Sequence, residues 1–219
     1  MSAEKSESTA TFVLRVWMPD RPGALGALAS RIGSVGGDVI GIDILERGAG
    51  RVIDEVIISL PDDNRVELLL NEIMQVDGVD IESIRPGEPV SFDPRVDALE
   101  TAADLVGAAT LEQAVTDLCS HSTRLARAAW CVVLREENAE LVAQLGDIPN
   151  LEWLAAFVAG AKVAAQSTGD AGASPDVAYA ALPNAQMSLV MGRQGESFHS
   201  RERQQVSALA KIVDLRFAR

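Results

Sequence analysis

Pro19-Asp20-Arg21-Pro22-Gly23-Ala24-Leu25 is the stretch on which this chain turns, because an apolar strand ends in it and an amphipathic helix begins at once. Before it, Phe12, Leu14, Val16 and Met18 alternate with Val13, Arg15 and Trp17, the two-residue period of a strand. After it, Leu25, Leu28, Ile32 and Val35 recur at three, four and three residues and form one helical stripe. Asp20 is expected to cap the free amides of the first turn, Pro22 has its φ set for a helix start, and Gly23 leaves the backbone uncovered. A helix start with no side chain over it is an anion site, where amide donors and the positive end of the dipole meet a carboxylate or phosphate. The same residues also read as nothing more than a well-capped helix.

Outward from this turn, Gly36-Gly37 is placed to stop the helix, and Ile40, Ile42 and Ile44 then alternate with Val39, Asp43 and Leu45 as a second strand. Arg47-Gly48-Ala49-Gly50 is a glycine-rich turn into a third strand, Val52 to Leu60, so the two make a hairpin. Pro61-Asp62-Asp63 caps a helix with Val66, Leu69, Leu70 and Ile73 on one face, and Val79 to Ile84 is a fourth, shorter strand. Strand, helix, strand, strand, helix, strand is the ferredoxin-like βαββαβ order of an α+β sandwich, with both helices on one face and the other face open to a partner.

With motif, spacing and element order in agreement, residues 12–85 resemble an ACT domain, the small amino-acid-sensing module of metabolic enzymes and regulators. The resemblance implies that an amino acid binds between two modules, against the first loop of one and the start of the second strand of the other. The loop positions are Asp20, Pro22, Gly23, Ala24 and Leu25; the strand positions are Asp38, Val39 and Ile40. Members that bind amino acids often carry Asn where this chain has Asp38. An aspartate there can hold an α-ammonium and repels a carboxylate, or it serves only as a turn residue entering a strand.

Residues 86–97, with Pro86, Pro89 and Pro94, read as a linker. Beyond it, Leu99, Ala102, Ala103 and Val106 suggest a helix, and a second follows from Leu111 to about Leu125. Trp130 to Leu134 and Glu140 to Leu145 read as a hairpin, Leu151 to Ala165 as a helix, and Ser167 to Asp176 as a Gly/Ser/Ala loop. Two strands, Val177 to Leu182 and Gln186 to Met191, precede a closing helix from His199 to Arg216 with Val206, Leu209, Ala210 and Val213 as its buried stripe. Flanking helices, an antiparallel sheet, Gly192-Arg193, Phe198 and Glu202 make residues 98–219 similar to a GAF-like α+β domain. That resemblance implies a small-molecule sensor or a dimerising, scaffolding domain without a ligand.

Composition sets limits on function. At 219 residues and 47 % hydrophobic content the chain can build two small cores. A net charge of −13 disfavours binding to a phosphate backbone, which needs lysines and arginines that displace counterions. Residues 1–11 are polar and read as a disordered tail on a cytoplasmic protein, with no signal peptide or membrane span. Cys119 and Cys131 are in neither metal-ligand nor redox spacing and are expected as core thiols. No phosphate loop, dinucleotide fingerprint, nucleophile elbow or metal-binding His pair occurs, and Glu136-Glu137 read as solvated caps. The expectation is a regulator with no catalytic residues, no metal and no cofactor, working as a homodimer that binds an amino acid. The alternative is an interaction module with no ligand.

Overall fold

A computed structural model describes residues 9–87, 94–168 and 174–218. The chain divides into two compact units, Met1–Asp93 and Pro94–Arg219.

In the first unit, β1 (Ala10–Pro19) and β3 (Arg51–Leu60) form the centre of a four-stranded antiparallel sheet, flanked by β2 (Asp38–Gly48) and β4 (Asp80–Pro86) in the order β2-β3-β1-β4. Helices α1 (Ala24–Ser34) and α2 (Val66–Ile73) complete the expected βαββαβ sandwich. Phe12, Leu14, Val16 and Met18 bury the inward side of β1 against Leu28 and Ile32 of α1 and Leu69 and Ile73 of α2. The helix stops as its glycines require: the Gly37 amide donates to the Ile32 carbonyl at 3.0 Å, the Gly36 amide to Gly33 at 3.0 Å, and Gly36 has φ +77°. The β2–β3 hairpin closes through Ala49 and Gly50, both at positive φ, as a two-residue turn that matches the twist of the strands.

The second unit is an α+β layered structure, built around an antiparallel sheet in the order β6-β5-β8-β7. Its strands are β5 (Trp130–Arg135), β6 (Leu141–Leu145), β7 (Val177–Leu182) and β8 (Met187–Gly192). One sheet face, with Cys131, Val133, Leu189 and Met191, packs on α3 (Pro94–Gly107), α4 (Leu111–Ala126) and α6 (Ser200–Arg216). The alternate residues, Val132, Leu134, Val177 and Val190, face Leu154 and Val158 of α5 (Leu151–Thr168). The two-residue period of β5 and β8 thus serves two separate cores.

Several sequence expectations change here. Ala10 and Thr11 belong to β1 rather than to the tail, whose residues 1–8 lie outside the described residues. Pro86 ends β4 and Pro94 starts α3, both inside the expected linker, of which 88–93 lie outside the described residues. Helix α5 runs on to Thr168, and 169–173 of the expected loop lie outside the description. The α3 stripe is helical but faces outward: Leu99 is 71 % and Val106 51 % exposed, whereas Thr101, Leu105 and Ala108 are buried. Glu136 is no solvated cap, since it pairs with Lys162 and accepts a 2.8 Å hydrogen bond from buried Ser188. The core thiols touch, with the Cys131 Sγ donating to the Cys119 Sγ at 3.5 Å. That contact and burial push the Cys131 thiol up and keep it protonated.

Candidate functional site

The turn after β1 is held by backbone hydrogen bonds. The Asp20 amide donates to the Gly50 carbonyl at 2.9 Å, which ties the turn to the β2–β3 hairpin, and the Arg21 amide donates to Pro19 at 2.9 Å. Asp20 does not cap the helix. The N-cap position is Gly23, with φ +89° and no side-chain cap, and Pro22 precedes the helix instead of opening it. A left-handed residue is needed here because the chain must reverse between Pro22 and Ala24, and glycine does so without a Cβ penalty.

The first turn of α1 therefore keeps its donors. The Ala24 amide is used by the turn, donating to Arg21 at 3.3 Å, while the Gly23 and Leu25 amides meet no acceptor among the described residues. Gly23 lies at a cleft of about 400 Å³ whose other wall is the α2–β4 turn, with Gln75, Asp77 and Val79. Its volume lies within the range of small-ligand sites. Arg21 lines the cleft, as does Arg31, whose guanidinium is engaged by Glu72 at 2.8 Å and Gln75 at 3.2 Å. Among the described residues no group of three or more His, Cys, Asp or Glu is placed to hold a metal.

The strand half of the expected site lies elsewhere. Asp38 opens β2 opposite Ser59, and Pro19 ends β1 opposite Arg51. Ser59 lies eight positions along β3 from Arg51, roughly 26 Å at the rise of a strand. Asp38 is exposed, Val39 packs partly on the core, and Ile40 is 37 % exposed where the β2–β3 register shifts. Asp20, Pro22, Gly23, Ala24 and Leu25 are thus gathered at one end of the sheet, and Asp38, Val39 and Ile40 at the other. One chain does not bring them together.

The sequence reading passed over Asp54. It sits on β3 between Val16 and Ile44, on the inward side with Val52 and Val56, and is 4 % exposed. Its Oδ1 has no hydrogen-bond partner among the described residues. Burial pushes its carboxyl above the ordinary aspartate value, Arg47 pulls it back, and Asp20 pushes it up again. The available signal was two acidic residues, Asp54-Glu55, interrupting the apolar run from Val52 to Leu60.

Gly23 offers a direct test of the left-handed turn that opens α1. A Cβ there would meet nothing within 4 Å, so only the backbone resists substitution. Gly23→Val is expected to cost about 1–3 kcal/mol, because a β-branched residue is strained at this φ. Gly23→Asn, which tolerates left-handed φ, should melt within about 1 kcal/mol of the parent and place its side chain over the turn. Thermal melts of both variants check the order; equal melting of the two would show that Gly23 is not held at positive φ.

The model of the ACT domain matches residues 12–78. No curated protein matches the chain. Among solved structures, the ACT domain from GTP pyrophosphokinase of Chlorobium tepidum is 14 % identical and covers 36 % of this chain and 100 % of that one, at a TM-score of 0.30. An uncharacterized protein from Thermotoga maritima is 15 % identical, covering 36 % of this chain and 99 % of that one at a TM-score of 0.29. The chromophore-binding domain of an unusual bacteriophytochrome from R. palustris is 12 % identical, covering 94 % and 93 % at a TM-score of 0.40. With TM-scores below 0.5, these likenesses add nothing to the family match. That match, the βαββαβ order and the Asp20 to Leu25 turn identify residues 12–78 of this chain as an ACT domain.

Proposed function

We propose that this chain is a non-enzymatic regulatory protein of the cytoplasm whose ACT domain binds an amino acid between two copies and passes the bound state to the GAF-like unit. The observation that carries the reading is the unused Gly23 amide at a ligand-sized cleft, with the unused Leu25 amide beside it in the first turn of α1. An α-carboxylate is the natural acceptor for them. Further support comes from the β2 edge, an outer strand paired only with β3 and carrying exposed Ile42 and Ile44. Two copies joined edge to edge about a two-fold axis pair antiparallel, so Asp38 of one copy runs toward the hairpin end of the other. That is the end to which the Asp20–Leu25 turn is tied. Among the described residues no helix is long and apolar enough to cross a membrane.

The outward stripe of α3 favours a second reading, an interaction module without ligand, because Leu99 and Val106 need a protein surface more than they need a small molecule. A thermal-shift screen of the twenty amino acids, with light scattering on the same samples, separates the two. The expected result is a dimer stabilised by a narrow chemical class of amino acid; a ligand at a hundred times its dissociation constant adds about 2.7 kcal/mol. A dimer that no amino acid stabilises would leave only the interaction module.

A further inference from the structure

The geometry points to Asp54 as the group that receives a primary ammonium in the ACT domain, from the same chain that supplies the loop amides. This inference rests on the amino-acid reading above but moves the ammonium partner from Asp38 of a second copy to a buried residue of the first.

Asp54 stands three residues along β3 from Arg51, the residue paired with Pro19, and so at the same end of the sheet as the Asp20–Leu25 turn. The sequence places nothing apolar there, although the flanking inward residues Val52 and Val56 are buried in the core. A carboxylate oxygen that is buried and accepts no hydrogen bond is a standing cost, which a valine on this strand would remove. Residues that weaken a fold without a structural return are characteristic of sites built for a partner. The partner must donate hydrogen bonds and carry positive charge, because the charged groups bearing on Asp54 are Asp20, of the same sign, and Arg47, which forms no ion pair with it within 4 Å. A primary ammonium has three donors and one compensating charge on a small head. Exposed Ile44, paired with Asp54 across β2 and β3, offers apolar surface for the carbon chain that bears it. The ammonium can come from the α-position of an amino acid or from the end of a side chain, and the chemistry at Asp54 is the same.

Thermal-shift titrations test this with four probes on the full chain: norleucine, which has an α-ammonium; Nα-acetyllysine, which has only a terminal one; butylammonium; and acetate. The parent is expected to be stabilised by norleucine or by Nα-acetyllysine, which tells the two sources apart. In Asp54→Asn the half-saturating probe concentration should rise at least tenfold while the unliganded protein melts at or above the parent's temperature. Asp54→Val provides the second variant and should lose the same response. Asp38→Asn should titrate like the parent. If Asp54→Asn and Asp54→Val titrate like the parent, or melt lower and still bind, Asp54 is a structural group and the inference falls. Loss of binding in Asp38→Asn alone would also overturn it and leave the amino-acid reading intact. If only butylammonium stabilises the parent and Asp54→Asn abolishes that, the inference stands and the amino-acid reading falls. A parent that responds to none of the ammonium probes overturns the inference.

Discussion

Arg193→Ala is expected to destabilise the second unit by about 3–5 kcal/mol, the usual cost of breaking a buried ion pair from one side. The Arg193 guanidinium donates to both Glu202 oxygens at 2.9 and 2.8 Å, to the Ala126 carbonyl at 2.7 Å, and to the Glu196 and Ser197 carbonyls. It also lies 4.2 Å from the centre of the Phe198 ring. Arg193 and Glu202 are 5 % and 6 % exposed, so alanine would leave a carboxylate buried without its cation and several carbonyls without donors. The strand end at Gly192, the loop before α6 and the end of α4 meet at this one side chain. The double change Arg193→Met with Glu202→Leu removes both charges together and should recover a large part of the loss. Urea denaturation followed by circular dichroism measures both. A single-variant loss below about 1 kcal/mol would mean that the pair behaves like a solvated one.

Leu28→Ala is expected to cost the first unit about 2–5 kcal/mol through lost burial and the cavity left behind. Leu28 is fully buried at the centre of the α1 stripe, where it meets the inward residues of the sheet. For a unit of about eighty residues, total stability is of the order of 4–12 kcal/mol, so this one change removes a large fraction. The two units are separate contact clusters, and the loss should therefore lower one thermal transition and leave the other in place. Calorimetry on Leu28→Ala and on Arg193→Ala should move opposite transitions. If both variants shift a single common transition, the units share one cooperative fold.

The candidate site was legible in the sequence where its chemistry is local. The Asp20 to Leu25 turn, the glycine stop at Gly36-Gly37 and the glycine-rich turn between β2 and β3 each depend on residues within a few positions of one another. The reading of Asp20 as a cap failed because its backbone is recruited by Gly50, thirty positions away, and the cap position fell to Gly23. Asp54 was passed over because a charged residue in a strand has no local signature of burial; that depends on which strands flank it. Glu136 was misread for the same reason, since Lys162 and Ser188 reach it from other elements.

What the residue pattern determined by itself was the kind and order of elements: period two over β1, period 3.6 over α1, and turn chemistry between them, all set by backbone preferences and by which side chains shun water. Tertiary structure alone decided the rest. It turned the α3 stripe of Leu99 and Val106 outward while Thr101 and Leu105 took the core, brought Cys119 against Cys131, and set Asp38 at the far end of the sheet from Gly23. The physical reason is that periodicity specifies a face but not what covers it. Which of two apolar stripes is buried, and which carboxylates meet, depends on contacts between residues far apart in the chain.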